Sequence, residues 1–108
     1  MPFYDVKKRS AKEIVPGGWI RTFWGEQMLL ALVELEAHTE VPVHTHPHEQ
    51  GGILLEGEME MGIGIETSIL GPGDAYIIPG NVQHWARTEG IAARVLDIFS
   101  PVREDYKY

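Results

Sequence analysis

Cysteine is absent from the 108 residues. That removes disulfides and thiolate ligands together and leaves nitrogen and oxygen donors to hold any metal. Long apolar runs are absent too, none approaching the ~18 residues that a membrane span needs. The opening Met1-Pro2-Phe3-Tyr4-Asp5 lacks an apolar signal core. A cytoplasmic protein without a membrane partner is expected. Basic charge is scarce: nine Lys and Arg against sixteen Asp and Glu give a formal net charge of −7, which argues against nucleic acid as a partner. Small molecules are the expected ligands, and an anionic one would need a specific arginine, for which Arg21, Arg87 and Arg103 are candidates. Internal repeats, linkers and convincing amphipathic helices are missing as well. The length and a 44% hydrophobic content suit one core, hence a single domain over residues 1–108.

What is present is the punctuation of β structure. Apolar stretches at Leu29–Leu35, Ile53–Leu55, Ala75–Ile78 and Ala92–Phe99 are separated by turns rich in glycine or proline, the spacing of a sandwich or barrel. The run from Glu58 to Ile65 alternates strictly, which predicts Met59, Met61, Ile63 and Ile65 on a buried face. Gly25, Gly57 and Gly71-Pro72-Gly73-Asp74 read as turns.

Three of the five histidines fall in one tract, His44-Thr45-His46-Pro47-His48-Glu49-Gln50, and a fourth, His84, closes the block running from Gly71 through Pro79-Gly80-Asn81. Side chains two apart on a strand share a face, so His44 and His46 could approach one divalent ion while His84 arrives from elsewhere. Period-two counting places both His48 and Gln50 on that same face, and Pro47 could bend the strand enough to expel either.

These two motifs resemble those of the cupin superfamily over nearly the whole chain. The first is matched by His44-x-His46, Gln50 and Gly57, with Gln in place of the usual Glu and the leading Gly missing. The second is matched by Gly73, Pro79, Asn81 and His84. Asn81 stands where the family has Gly, an exchange that tolerates the left-handed backbone region. The resemblance implies an all-β fold, a cupin jelly-roll β-barrel (double-stranded β-helix), with a metal in its mouth. The ending from Asp97 to Tyr106 and the His-x-His-Pro-His-Glu-Gln tract are similar to the small pectin-degradation cupins of the KdgF type. Those convert 4,5-unsaturated uronates to a ketonised form.

Carried over by motif position, this resemblance implies metal ligands at His44, His46, Gln50 and His84, with His48 or Glu49 as alternatives to Gln50. It also implies catalytic groups at Asp97, Phe99 and Arg103. Such a donor set suits nickel, zinc, manganese or iron(II) and leaves the ion's charge uncompensated, so that it acts as a Lewis acid toward a sugar-acid substrate. Asp97 would move a proton and Arg103 clamp the carboxylate. The alternatives are an Asp97–Arg103 ion pair that pins the tail, and ordinary core packing for Phe99. Other functions within reach are an iron or copper cupin dioxygenase and a non-catalytic metal or sugar-acid binder. Tyr76 and Trp85 are further pocket candidates, although alternation turns Trp85 away from the metal. Ile53 and Trp85 depart from the pectin-degradation pattern and are expected to reshape the pocket. An open sheet edge, with Trp19 and Trp24 beside the first hairpin, suggests a homodimer.

Overall fold

The computed structural model describes residues 2–108. Ten strands follow one another with short turns: β1 (Lys12–Val15), β2 (Gly18–Trp24), β3 (Leu29–Leu35), β4 (Glu40–His44), β5 (Glu49–Gly57), β6 (Met59–Ile63), β7 (Glu66–Leu70), β8 (Ala75–Ile78), β9 (His84–Arg87) and β10 (Ala93–Ser100). Two single 3₁₀ turns, Val6–Lys8 and Glu104–Tyr106, are the helical content of the described residues. The four apolar stretches read from the sequence fall on β3, β5, β8 and β10, with β3 and β8 matching residue for residue.

The strands form two antiparallel sheets, one six-stranded in the order β1-β2-β3-β10-β5-β8 and one four-stranded in the order β4-β9-β6-β7. The expectation of an all-β fold is met. The barrel is met only in part, because the hydrogen-bond ladder is divided between two sheets and does not run unbroken around the core. Residues from both inner faces, among them Ile20, Leu54, Met59, Met61, Ile78 and Val95, are buried between them, as alternation in half-buried strands requires.

Register turns this packing into layers. Across the six-stranded sheet, Ile78, Gln50, Phe99, Leu29 and Trp24 lie in one cross-strand row, and Tyr76, Gly52, Asp97, Ala31 and Thr22 in the next. A third row carries Leu54, Val95, Val33 and Ile20. On the four-stranded sheet, His44, His84 and Ile63 share a row, and Val41, Ala86 and Met61 the next one inward. The rows that carry Gln50, Asp97, His44 and His84 therefore sit at one end of the sandwich, with wholly apolar rows behind them.

One expected core residue is misplaced. Ile65 is fully exposed, because β6 ends at Ile63 and Gly64, at φ +60°, turns the chain into β7. Asn81 takes φ +67°, the left-handed conformation expected of it.

Candidate metal centre and the cavity beneath it

His44 ends β4, His84 opens β9 directly across from it, and His46 follows in the connection to β5. The ring centroids of His44 and His84 are 4.1 Å apart and those of His46 and His84 4.8 Å. One nitrogen from each of the three lies within 4.8 Å of the other two, a group that could hold a metal ion.

Each imidazole is oriented through its other nitrogen. His44 Nδ1 meets the Pro42 carbonyl at 2.8 Å, His46 Nδ1 the His48 carbonyl at 3.0 Å and His84 Nδ1 the Val82 carbonyl at 2.9 Å. A carbonyl only accepts, so each Nδ1 carries the proton and each Nε2 keeps its lone pair, the arrangement that second-shell bonds give to metal-binding histidines. Burial, aided by the Arg103 guanidinium, holds His46 below the ordinary histidine pKa, and burial lowers His84 to about 4. Both are neutral at pH 7 and available as donors.

Two polar contacts test whether a cation fits. His84 Nε2 is buried without a hydrogen-bond partner. His46 Nε2 faces Gln50 Oε1 at 3.0 Å, and with the proton on Nδ1 both of these atoms are acceptors. A cation between them relieves that repulsion, and an imidazolium is disfavoured by burial. The residues present fit a divalent ion held by nitrogen and amide oxygen.

The alternatives to Gln50 separate in space. Pro47 and His48 form a bend and Glu49 is exposed, while Gln50 is buried, 6% accessible, and lines the cavity. His48 lies outside the three-histidine group. The kink at Pro47 defeats the period-two count for His48.

Asp97 is buried in β10, and its flanking inner-face neighbours, Gly52 and Ala31, are the smallest available. Tyr76 reaches across Gly52 from β8 to donate its hydroxyl to Asp97 Oδ1 at 2.5 Å. A β-carbon on Gly52 would overlap both atoms, so this glycine is required by the contact. Burial raises the Asp97 carboxyl to about 6, while the bonds from Tyr76 and Gln50 and the nearby Arg103 pull it back down. Burial, then Asp97, pushes the Tyr76 phenol well above its usual value.

The tail folds over this end. Arg103 lies over the Tyr106 ring at 3.7 Å and the Phe99 ring at 5.2 Å, and Thr22 Oγ1 donates to the Tyr106 carbonyl at 2.6 Å. The ion pair considered for Asp97 and Arg103 is not formed: Arg103 Nε pairs with Asp105 at 3.2 Å, and Asp97 takes the Tyr76 hydroxyl. Phe99 is 2% exposed and packs with Leu29 and Ala31, yet its ring also stands edge-on to His46 at 5.6 Å and borders the cavity. Arg21 and Arg87 are committed to Glu34 and Glu60 on the outer faces.

A cavity of about 60 Å³ runs inward from His44, Gln50, His84, Asp97 and Arg103 between the sheets. Ile53 does not border it, because it faces outward into a groove with Ile77, Leu96 and Ile98, so the reshaping expected of that position is not felt inside. Trp85 borders the cavity from β9, but its ring covers Gly62 on the other face of the sheet, as alternation requires. Tyr106 and the bridging part played by Tyr76 escaped the sequence reading. Both depend on cross-strand register and the path of the tail, which local patterns do not carry.

The family model described as the cupin domain matches residues 31–99. The chain belongs to the cupin family, consistent with the two motifs and the paired sheets. Its structure is similar to an RmlC-like cupin from Shewanella frigidimarina, with a TM-score of 0.91 and 24% identity over 98% of this chain and 96% of that one. It is also similar to KdgF from Halomonas sp., at 0.90 and 25% over 97% of each. By sequence it is 40% identical over 53 residues to the H2HPP isomerase of Bacillus subtilis, a match that covers 48% of this chain and 22% of that protein. The chain thus aligns with about a fifth of that relative's length. No helix among the described residues is long and apolar enough to cross a membrane.

Proposed function

We propose that this cupin is a metal-dependent isomerase that shifts a proton within a small anionic substrate, the ketonisation of 4,5-unsaturated uronates being the reaction implied by its likeness to KdgF. The observation that carries the reading is Asp97: a buried carboxyl poised near pH 6, bonded to Tyr76, beside Gln50 and in one cavity with His44 and His84, two of the three clustered imidazoles. The isomerase name of the Bacillus relative supports the same reaction class.

His44, His46, His84 and Gln50 would hold the ion. Such an ion supplies Lewis acidity toward the oxygens that gain negative charge. Asp97 is ionised at pH 7 and able to take a proton from a substrate hydroxyl. Once protonated, it is the neutral form that its burial favours, and it can return the same proton to carbon. One carboxyl doing both balances an isomerisation without an oxidant. Arg103, 12% exposed and backed by the Tyr106 ring, would hold the substrate carboxylate, and Phe99 forms an apolar wall beside His46.

The test is to incubate the metal-loaded protein with unsaturated galacturonate and follow the loss of double-bond absorbance, with Asp97→Asn and Arg103→Ala alongside. Acceleration that both substitutions abolish is the expected result. A rate equal to buffer discards the uronate reaction.

We also propose a homodimer through the outer face of the six-stranded sheet. Ile77, Ile98 and Leu55 are 64%, 39% and 39% exposed there. The row beside them is neutralised by Arg94, which lies 4.0 Å from Glu34 and 3.9 Å from Glu56. A chain of net charge −7 meets its copy with least repulsion on such a face. Light scattering should give twice the chain mass, and Ile98→Lys should halve it.

A further inference from the structure

We infer that the ligand of this site carries a short hydrocarbon arm, seated in the apolar pocket behind the imidazoles. The inference rests on the isomerase reading above, keeps its proton shift, and replaces the uronate by enol or 2-oxo acids with an aliphatic or carbocyclic arm.

The cavity is divided sharply along its depth. Every polar side chain that borders it, from His44, Gln50 and His84 to Asp97, Tyr76, Arg103 and Tyr106, belongs to the mouth or to the Asp97 row. Two residues further along each strand, roughly 6–7 Å deeper, the walls are Val33 and Val95 from one sheet and Val41, Met61 and Ala86 from the other. Met59 lies beyond them. Of the two phenols that border the cavity, that of Tyr76 is already committed to Asp97 and Tyr106 belongs to the tail at the mouth.

The space is created by side chains that are small where larger ones would fill it. Ala31 flanks Asp97 and Ala86 stands two residues below His84, and both border the cavity. At about 10–15 Å³ for each water-sized group, the whole 60 Å³, mouth included, has room for about four to six of them, which bounds the arm from above. That matches an isobutyl group or part of a six-membered ring. A sugar hydroxyl placed there would find no partner and lose roughly tenfold or more in affinity, whereas each buried methylene gains about fourfold. With the carboxylate on Arg103 and the adjacent oxygen toward the imidazoles, the remainder of a short acid has the apolar pocket ahead of it.

Calorimetric titration of the purified and the nickel-loaded protein with pyruvate, 4-methyl-2-oxopentanoate and galacturonate tests this, with metal content measured separately. The three extra carbons of the branched acid predict affinity at least tenfold above pyruvate, up to roughly 60-fold at full burial, in whichever form binds. Ala86→Leu, checked for folding by circular dichroism, should cut that advantage below about threefold. Equal affinity for the two oxo acids, no binding of either in both forms, or tighter binding of galacturonate overturns the inference. Failure to take up nickel while the branched acid is still preferred overturns the metal reading and leaves the apolar arm standing.

Discussion

The two sheets contribute opposite chemistry to one cavity. The four-stranded sheet presents His44 and His84, and the six-stranded sheet presents Gln50, Asp97, Phe99 and the Tyr76 hydroxyl. Both sides are shielded from water, His84 being 2% and Asp97 8% exposed. Desolvation disfavours whichever form is charged, so it lowers the imidazole to about 4 and raises the carboxyl to about 6. One physical cause thus yields neutral nitrogen donors on one wall and, on the other, an acid able to hold a proton near neutrality. Pairs of groups pushed apart in this way are a signature of divided roles in a site.

Removing one group from each wall should break the comparison cleanly. The largest effect is expected for His84→Ala. Losing a second-shell partner alone costs metal affinity 10–100-fold, so losing a ligand should weaken nickel or zinc binding on the order of 100-fold or more, measured by competitive titration with a chelator. Asp97→Asn should leave that affinity within a few-fold and lower turnover by about 10²–10⁴-fold, the range of a lost acid/base group. If both variants lose metal equally, the walls do not have separate roles.

The opposed shifts also make opposed contributions to the stability of the metal-free protein. Asp97 titrates higher folded than unfolded, so its contribution is full below about pH 4 and fades as the pH rises through 6. His84 titrates lower folded than unfolded, so its contribution is full above about 6.5 and fades as the pH falls through 4. Each spans about two units, of order 3 kcal/mol at most. With His46 lowered as well, the wild type should lie between the two variants and rise only gently with pH from 4 to 6. Asp97→Asn should grow more stable with rising pH over that window and His84→Ala less stable, read as denaturant midpoints.

Composition made several of the strands legible, because β3, β8 and β10 are apolar runs bounded by turns. The His-x-His tract and His84 were legible because their spacing already specifies one strand face and one returning segment. Where local counting failed, a backbone turn had intervened: Gly64 ends β6 before Ile65, and the bend at Pro47 and His48 removes His48 from the face that Gln50 keeps. The cavity was illegible for another reason. Its depth depends on Ala31 coming level with Asp97 and on Ala86 lying one row inward of His84, and that juxtaposition follows from sheet register over long sequence separations.

Gly52 is where register can be tested with a single methyl. Gly52→Ala should displace either the Tyr76 ring or the Asp97 carboxylate, since the added carbon overlaps both, at a cost of about 1–3 kcal/mol. A melting temperature unchanged from wild type would mean that Tyr76 does not cross β5 as described.

The smallest effect is expected for Tyr76→Phe, which keeps the ring and deletes one bond. The phenol donates to Asp97 at 2.5 Å and pulls the carboxyl pKa down against burial. Without it the ionised form loses its strongest neutral donor, worth about 1.5–3 kcal/mol, and Asp97 should titrate above its present value of about 6. If the ionised carboxyl is the working base, the acid limb of the rate profile moves to higher pH by about one to two units, while the rate well above the new pKa changes less than about threefold. A uniform drop at every pH, with the limb unmoved, would instead make Tyr76 a packing residue and leave Asp97 to be set by Gln50 and Arg103.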